Sequence, residues 1–435
     1  MSEQPVVLIN PPSPFLINQK SFSPLGILYL AAELKKDGLP VQVVDLAGRE
    51  SDMEEALGRY LQADIFGISA TTPQYPYARS VKEIIKKANP DAMVVLGGVH
   101  GTDLTEKCLN DRFDIVVKGE GEKAIVKIAR DFGTHSLDYR VLQLPYEKDI
   151  DSLPHPARHL IPLKDYGYDI EGIPGTSIIT SRGCPYHCVF CSKGVWGQGV
   201  RLHSIEYVVE ELSSIIQDYA IDHFLFLDDA INIDRRRLMR LCEAIKPLAI
   251  KWRCYARAET HAKDMLIAMK EAGCVEIGVG IESGSQRILD IVGKGSTVEK
   301  NTGFVKECKA AGVTVNAFVM IGLPGETYET VEATKKWMEE AMPDKFGFNI
   351  FMPYVGTPVW RNLQKYDLRI ADIPEEHSWV KGRSGQHHCY VSTEGLSSQE
   401  ILRLFNEVFD YYTQLLHWRP GVGRVPQAAW GNTAC

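Results

Sequence analysis

Three cysteines lie within eight residues in the stretch Ser181-Arg182-Gly183-Cys184-Pro185-Tyr186-His187-Cys188-Val189-Phe190-Cys191. Their spacing is C-x3-C-x2-C, and soft thiolates on so short a loop can bind three corners of a [4Fe–4S] cube. The next cysteines along the chain, Cys242 and Cys254, are far away. The fourth iron would therefore lack a protein ligand, and an open iron is what a substrate-binding cluster requires.

Two other interpretations of this cysteine cluster remain open. A Cys3His zinc site could recruit His187, although that ligand spacing is unusual for zinc. The three residues could also be unrelated buried thiols, which is less expected for cysteines so close together. The spacing favours the iron–sulfur interpretation over both.

The cysteine cluster follows the first of six predicted strand–helix units. The strands are Ser177–Ser181, His223–Leu227, Lys251–Tyr255, Val275–Gly280, Thr314–Met320 and Phe346–Phe351. The helices between them are Tyr207–Tyr219, Arg235–Ala244, Ala262–Ala272, Thr297–Ala310 and Tyr328–Met342. This repetition predicts a (β/α)6 body, a full or partial barrel, with its chemistry at the carboxyl ends of the strands.

The chain before the cysteine cluster predicts a separate α/β domain. Five short apolar runs read as buried strands: Val6–Ile9, Val41–Val44, Ile65–Ser69, Met93–Leu96 and Ile115–Val117. Helical segments alternate with them: Gly26–Lys36, Asp52–Leu61, Tyr77–Ala88 and Asp103–Leu109. The pattern indicates a flavodoxin-like, doubly wound parallel sheet, which binds ligands beyond the carboxyl ends of its strands.

The loops at those carboxyl ends narrow the choice of ligand. The first, Asn10-Pro11-Pro12-Ser13-Pro14, has no glycine fingerprint for a dinucleotide and no acidic pair for phosphate acceptance. The later loops, Ser69-Ala70-Thr71-Thr72-Pro73 and Gly97-Gly98-Val99-His100, are rich in small residues. Such loops can form a broad platform for a large ligand, or they can be ordinary turns.

The predicted domains are 1–140, a linker at 141–172, the barrel at 173–362 and a C-terminal extension at 363–435. The linker contains Pro154 and Pro156 and has no periodicity, which favours an extended path. In the mainly helical extension, Ser397–Leu416 is amphipathic. Its polar face is acidic, so docking on the body is favoured over membrane binding.

Composition excludes several classes. The 435 residues are 45% hydrophobic and 24% charged, which is ordinary for a globular protein. No transmembrane run and no secretory leader are evident. The net charge of −8 does not favour a nucleic-acid partner. Ten cysteines in a reducing cytoplasm, the expected location, are more consistent with thiols or metal ligands than with disulfides.

The cysteine cluster, with the aromatic Phe190 before its last cysteine, resembles the radical S-adenosylmethionine (SAM) superfamily. Gly280-Ile281-Glu282-Ser283 resembles the family's ribose-contacting motif, and Ile321-Gly322-Leu323-Pro324-Gly325-Glu326 resembles its adenine-contacting stretch. The resemblance spans about residues 176–362. It implies that Cys184, Cys188 and Cys191 ligate the cluster, that SAM chelates the open iron, and that a 5′-deoxyadenosyl radical abstracts hydrogen. The implied SAM-binding residues are Phe190, Asp228, Arg257, Gly280, Glu282, Ser283, Ile321 and Gly322.

Two of these assignments depart from the family pattern or have alternatives. Where many members carry Gly-Gly-Glu, this chain has Leu227-Asp228-Asp229-Ala230-Ile231-Asn232. Asp228 or Asp229 could contact the SAM ammonium, or the loop could have a substrate-side or structural role. Arg257 could pair with the SAM carboxylate or a substrate anion, or it could be a solvated surface arginine.

The N-terminal domain before such a barrel resembles the cobalamin-binding radical SAM group. Pro24–Ala31, Gly97–His100 and Gly119–Glu122 are similar to stretches seen there. The chain lacks D-x-H-x-x-G, so either cobalamin has no such histidine ligand or the domain is degenerate. A loop histidine is favoured over a cobalt ligand for His100. The implied cobalamin-binding residues are Asn10, Pro11, Ser69, Thr71, Thr72, Gly97, Gly98, His100, Gly119 and Glu120.

The resemblance implies a methyltransferase acting on an unactivated carbon or phosphorus centre of a small-molecule or natural-product substrate. Its cofactors would be a [4Fe–4S] cluster, SAM and cobalamin, with a flavodoxin or ferredoxin as electron donor. The alternatives are a non-methylating relative that performs oxidative cyclisation or ring rearrangement, and a non-catalytic corrinoid or iron–sulfur module. A methylthiotransferase needs a second cluster, and Cys108 is the only cysteine before Cys184.

Overall fold

The computed structural model describes residues 5–13, 16, 18–371 and 388–417. Within these residues the chain forms two compact units. The first contains the chain up to Tyr168 together with Lys193–Ala220, and the second contains Asp169–Ser192 and the chain from Ile221 onward. The domain boundaries expected at residues 140, 172 and 362 stay a prediction. Residues 372–387 and 418–435 of the expected C-terminal extension lie outside the described residues.

The first unit is built on a six-stranded parallel sheet with the order β2-β1-β3-β4-β5-β6. Its strands are β1 Val6–Asn10, β2 Val41–Asp45, β3 Ile65–Ser69, β4 Met93–Gly97, β5 Ile115–Lys118 and β6 Val141–Gln143. The five expected strands are confirmed, and β6 extends the sheet at the β5 edge. Since β6 is only three residues long and alternates between exposed and buried positions, it has no apolar run to reveal it.

Helices cover both faces of this sheet. They are α1 Leu25–Lys36, α2 Met53–Leu57, α3 Tyr75–Ala88, α4 Gly98–Asp103, α5 Thr105–Asn110 and α6 Glu122–Gly133. Val7 and Ile9 of β1 face one apolar cluster that includes α3, while Val6 and Leu8 face another that includes α1 and α6. This division of alternate side chains confirms the doubly wound architecture.

One helical prediction in the first unit needs correction, and one helix of this unit was not predicted. The segment Asp103–Leu109 was expected to form one helix, but Leu104 has non-helical dihedral angles and separates α4 from α5. Helix α6 was not predicted, although Ile125 and Ile128 have helical spacing and are buried.

The second sheet has seven strands in the order β15-β14-β13-β12-β11-β8-β7. Consecutive strands from β8 through β11 to β15 pair in parallel, which confirms the partial barrel. The strands are β7 Tyr168–Ile170, β8 Ile173–Ile178, β11 His223–Phe226, β12 Lys251–Ala256, β13 Cys274–Glu282, β14 Thr314–Ile321 and β15 Lys345–Ile350. Short strands outside the sheet are β9 Ser181–Arg182, β10 Arg201–Leu202, β16 Arg369–Ile370 and β17 Val391–Ser392.

Three of the later helices begin at a polar cap residue. Ser204, Asp234 and Thr297 each accept a hydrogen bond from a backbone N–H of the first helical turn, which satisfies a donor that the helix leaves free. The helices are α7 Ile205–Tyr219, α8 Arg235–Ile245, α9 Lys263–Glu271, α10 Gln286–Ile291, α11 Val298–Ala310, α12 Tyr328–Ala341 and α13 Ser398–His417. Single 3₁₀ turns occupy Gly58–Tyr60, Thr72–Gln74, Ile150–Ser152, Arg158–Leu160, Leu163–Asp165, Lys246–Leu248 and Ala258–Thr260, and a longer 3₁₀ segment that is kinked at Asn362 occupies Trp360–Tyr366.

Helix α13 packs against one face of the second sheet. The Tyr412 and Phe346 ring centroids are 4.1 Å apart, and Phe348 also contacts Tyr412 at 5.5 Å. This confirms that the amphipathic C-terminal helix docks on the body. Within the described residues, no helix has the length and apolar content that crossing a membrane requires.

Because side chains alternate along a strand, Gly347, which lies between Phe346 and Phe348, faces the opposite side of the sheet. We call that opposite face the inner face. In the sheet register Phe318 pairs with Gly347, and Gly278 pairs with Tyr255 and Asn316. A side-chain carbon at Gly278 would lie 2.8 Å from both the Tyr255 and Phe318 rings. Gly278, Tyr255, Asn316 and Phe318 therefore share the inner face.

Candidate functional site

The cysteine loop runs from the end of β9 and is tied to the second unit by backbone hydrogen bonds. Gly183 starts it with a φ of +83°, in the left-handed region that glycine tolerates best. The Val189 N–H donates to the Val292 carbonyl, and the Val189 carbonyl accepts from the Val359 N–H, both at 3.0 Å. The half-buried Phe190 packs on the apolar cluster that includes Leu323.

None of the three cysteines of the loop forms a disulfide within the described residues, and Cys188 is buried, Cys184 half-buried and Cys191 exposed. Among the described residues, no group of three or more His, Cys, Asp or Glu side chains is arranged to hold one metal ion. That finding concerns sites for a single ion, whereas the thiolates of a [4Fe–4S] cube each bind a different iron. Three soft donors on one short loop fit the donor chemistry of such a cluster.

Arg257, just after β12, is buried against this loop with 6% of its surface exposed. Its Nη1 donates to Cys188 Sγ at 3.4 Å, and its guanidinium carbon lies 3.6 Å from the Tyr186 ring centroid. Its Nε donates to Glu259, and its Nη2 donates to the Lys294 carbonyl. Arg257 is therefore not the solvated surface arginine that was one alternative.

The charge on Arg257 is secure despite its burial. Burial alone lowers the pKa of an arginine, but the hydrogen bond to Cys188 and the charge of Glu259 raise the pKa of Arg257 above its ordinary value. Sequence reasoning selected Arg257 but did not indicate that it contacts a predicted cluster ligand. The two residues are 69 positions apart, so no local pattern connects them.

Glu282 ends β13 in a constrained conformation. Its φ is +66°, and the register of β13 against β14 shifts between Gly280 and Glu282. Lys294 Nζ lies 2.7 Å from the Glu282 carboxylate, and both side chains are at most 8% exposed. A side-chain carbon at Gly280 would lie 2.6 Å from Lys294 Nζ. A side chain at Gly280 would therefore displace the tips of this ion pair, and Lys294 connects Glu282 to Arg257.

Ser283 and Asp228 contact other parts of the chain. The Ser283 and Thr334 hydroxyl oxygens are 3.2 Å apart. The Asp228 carboxylate is 1% exposed and accepts hydrogen bonds from the Thr180 N–H at 3.3 Å, the Thr180 hydroxyl at 2.8 Å and the Ser181 hydroxyl. Burial raises the pKa of Asp228. These contacts support the structural alternative for Asp228, since its carboxylate organises the start of the cysteine loop.

The loop after β14 is held by a glutamate that sequence reasoning did not single out. Gly322 has a φ of +94°, and its N–H donates to the Glu326 carboxylate at 2.6 Å. The Leu323 N–H donates to the same oxygen at 3.3 Å. Glu326 is fully buried, and burial raises its pKa to about 7. Of the predicted adenine-contacting residues, Ile321 ends β14 and Gly322 begins a loop whose shape depends on Glu326.

The first unit has a cleft at the carboxyl ends of β1, β3 and β4, with a volume of about 140 Å³. Four of the residues expected to bind cobalamin line it, together with Gly26 and Gln74: Asn10, Ser69, Thr71 and Gly98. Gln74 Nε2 donates to the Pro11 carbonyl at 3.0 Å and the Ser13 hydroxyl at 2.7 Å. Its Oε1 accepts from the Thr71 N–H at 3.1 Å. Gln74 thus joins two of the predicted ligand loops, and the sequence pattern did not reveal this.

Three other predicted residues lie in the immediate surroundings of this cleft. Gly97 ends β4 and pairs with Ser69 in the sheet register. The Thr72 hydroxyl is 3.2 Å from His100 Nδ1. His100 is fully buried and stacks on Tyr75 at 3.8 Å, and burial lowers its pKa to about 3. Its position supports a role in packing the loop rather than an exposed ligand.

Gly119 and Glu120 follow β5. The Gly119 N–H donates to the Thr102 hydroxyl at 3.1 Å, and its φ is +79°. Arg201 Nη1 lies 2.9 and 2.8 Å from the two Glu120 carboxylate oxygens. The Glu120 side chain is 9% exposed, so its charge is compensated by Arg201.

Gly98 offers a direct test of the cleft's construction. Its φ is +87°, and a side-chain carbon there would lie 2.8 Å from the Ala70 carbonyl oxygen. We expect Gly98→Ala to lower the free energy of unfolding by at least about 1–2 kcal/mol, the cost of left-handed backbone alone. Gly26→Ala is the matched control, because Gly26 lines the same cleft with no atom within 4 Å of its added carbon. Equal urea-unfolding midpoints for wild type and Gly98→Ala would contradict the prediction.

Comparison with known proteins identifies two family models that match the chain. Residues 178–338 match the Radical SAM superfamily model, and residues 19–129 match the B12 binding domain model. The "Uncharacterized methyltransferase PH0819" of Pyrococcus horikoshii is 34% identical over 385 residues, which cover 83% of each chain. The chain belongs to the cobalamin-binding radical SAM family. It is therefore an enzyme whose cofactors are a [4Fe–4S] cluster, SAM and cobalamin.

Two further proteins extend the comparison. The cytidylyl-2-hydroxyethylphosphonate methyltransferase of Streptomyces wedmorensis is 27% identical, with 82% of this chain and 81% of that one covered. The structure of the methyltransferase TsrM from Kitasatospora setae, with cobalamin and a [4Fe–4S] cluster bound, superposes with a TM-score of 0.75 at 18% identity. The superposition covers 98% of this chain and 92% of TsrM, so the fold is shared over nearly the whole length.

Proposed function

We propose that this enzyme transfers a methyl group to an unactivated carbon or phosphorus centre of a small-molecule substrate. The observation that carries the proposal is the 34% identity to a protein named as a methyltransferase, over 83% of both chains. When bound, the cluster, SAM and cobalamin supply an electron, a 5′-deoxyadenosyl radical and a methyl group. The chain's own residues hold these groups in place and exclude water from the reaction.

In this proposal, Cys184, Cys188 and Cys191 hold the cluster. SAM binds along the carboxyl ends of the barrel strands, in contact with a set of residues from three segments: Phe190, Gly280, Glu282, Ser283, Ile321 and Gly322. Asp228 and Arg257 support this set through their contacts with Thr180 and Cys188. We assign the barrel to residues 173–362, after a linker at 141–172 and before an extension at 363–435.

Cobalamin binds the first domain, residues 1–140, over the cleft that Asn10, Ser69, Thr71 and Gly98 line. The main-chain groups of Pro11, Gly97 and Gly119 and the hydroxyl of Thr72 complete the platform in our proposal. Gly98 carries no side chain and tolerates none, which lets a large ligand approach the backbone. His100 and Glu120 support the platform through their contacts: His100 stacks on Tyr75, and Glu120 pairs with Arg201.

The substrate, we propose, occupies the inner face of the barrel near Tyr255, Asn316 and Phe318. Asn316 is 6% exposed, and its Oδ1 has no hydrogen-bond partner within the described residues. A buried acceptor of this kind is costly unless a ligand or water donates to it.

The reaction takes place in a reducing cytoplasm and receives electrons from a flavodoxin or ferredoxin.

Methyl-labelled SAM tests the proposal without knowledge of the substrate. Anaerobically reconstituted protein is incubated with hydroxocobalamin, dithionite and trideuteromethyl-SAM, and the corrinoid is analysed by mass spectrometry. We expect trideuteromethylcobalamin at a rate well above a protein-free control. Protein that holds its iron and its corrinoid but forms no labelled methylcobalamin would favour the non-methylating alternative. The anaerobic magnesium-protoporphyrin IX monomethyl ester cyclase of Cereibacter sphaeroides, 27% identical, represents that alternative.

A further inference from the structure

The sulfur of Cys188 has a cationic hydrogen-bond donor, Arg257 Nη1, at 3.4 Å. Sulfur is a large, diffuse acceptor, so an N–H···S contact of this length is a normal hydrogen bond, and a charged donor strengthens it. Cys188 and Arg257 are each only 6% exposed. In such surroundings water screens the interaction weakly, and the charge of Arg257 acts strongly on the sulfur.

The guanidinium is held in one orientation by its other contacts. Its Nε donates to Glu259, its Nη2 donates to the Lys294 carbonyl, and its plane lies over Tyr186. These partners leave Nη1 aimed at Cys188 Sγ. The arrangement is specific to arginine, because a lysine ammonium cannot make three differently directed contacts of this kind.

The charges around the guanidinium are nearly balanced. Arg257 faces Glu259, and Lys294 faces Glu282, with all four side chains at most 8% exposed. The second oxygen of Glu259, Oε2, is buried and has no hydrogen-bond partner within the described residues. Removing one member of either pair therefore leaves a net charge close to the Cys188 sulfur.

We propose that Arg257 is a positioning residue for the Cys188 thiolate and that it raises the reduction potential of the cluster bound there. The inference rests on the proposed function, because it requires Cys188 to be a cluster ligand. It goes beyond the expected contact with the SAM carboxylate, which would use the same guanidinium.

The direction of the effect follows from charge. Reduction adds one electron from the reductant to the cluster and its thiolates, which makes this group more negative. A cationic donor stabilises the reduced state more than the oxidised state, and hydrogen bonds to the sulfurs are among the factors that set cluster potentials. Arg257 remains protonated in both states, so no proton accompanies the electron.

The test is a potentiometric titration with dithionite, followed by electron paramagnetic resonance, on reconstituted protein without SAM. We expect Arg257→Gln to lower the ratio of reduced to oxidised cluster at a fixed potential about tenfold, which is a shift of about −59 mV for one electron. Glu259→Gln should shift the potential in the opposite direction, because it leaves the charge of Arg257 uncompensated. Arg257→Lys keeps the positive charge, so its potential should fall less than that of Arg257→Gln.

Arg253→Gln is the matched control, since Arg253 is a buried arginine four positions earlier that pairs with Glu276 at 2.9 Å. It should leave the potential unchanged. Unchanged potentials in both Arg257→Gln and Glu259→Gln, at full iron content, overturn the proposal. If Arg257→Gln does not fold, an unchanged potential in Glu259→Gln is sufficient to overturn it. A wild-type protein that binds no iron would instead refute the cluster assignment and, with it, the proposed function.

Discussion

Replacing Cys184, Cys188 or Cys191 by alanine is expected to remove most of the iron from the anaerobically reconstituted protein. Wild type should be brown and contain about four irons per chain. With three protein ligands on one loop, each substitution leaves only two thiolates to hold the cube. Iron content and the visible absorption of the cluster measure the loss, and 5′-deoxyadenosine formation from SAM should fall to background in all three variants.

Cys389→Ala provides the matched control for these variants. Cys389 is a half-buried free thiol outside the loop, and its Sγ donates to the Val391 carbonyl at 3.3 Å. It should keep the full iron content of wild type. Full clusters in all three loop variants would refute the assignment of these thiols, and comparable iron loss in Cys389→Ala would indicate general instability instead.

The sequence predicted most strands of both sheets for a simple physical reason, although the first predicted barrel strand, Ser177–Ser181, overlaps β8 only at Ser177 and Ile178. Strands of parallel sheets are buried on both faces, so they appear as unbroken apolar runs. Ile65–Ser69 was predicted with the same bounds that β3 has, and Met93–Leu96 differs from β4 by one residue. Strand β6 lies at an edge and buries one residue of three, so the same rule gives it no signal.

The cysteine loop could also be predicted from the sequence, because its three proposed ligands lie close together in the chain. The side chains that contact the predicted site residues could not be predicted. Arg257 reaches Cys188 across 69 positions, and Glu120 reaches Arg201 across 81. A parallel sheet brings strand ends together that are far apart in the chain, and no periodicity encodes which side chains then meet. The sequence therefore predicts the type of site, while the structure shows which charges are compensated.

Glu326 should make the stability of the protein fall as the pH rises through neutrality. Burial raises its pKa in the folded protein to about 7, whereas a glutamate in an unfolded chain titrates near ~4.3. The folded state thus keeps a proton that the unfolded state has lost. This contribution to the free energy of unfolding is complete below pH ~4.3 and is lost as the pH approaches 7. Its size is on the order of 3 kcal/mol.

Glu326→Gln removes this titration while it retains the hydrogen bonds. A glutamine carbonyl oxygen can accept from the Gly322 and Leu323 N–H groups as the Glu326 carboxylate does. We expect wild type and variant to have similar urea-unfolding free energies at pH 5 and the variant to be the more stable at pH 8. Glu394→Gln, at an exposed position, should show no such divergence. A difference between wild type and Glu326→Gln that stays constant from pH 5 to pH 8 would show that Glu326 is ionised throughout, held by its two backbone donors. The loop after β14 would then carry a permanent buried charge, and its shape would not depend on pH.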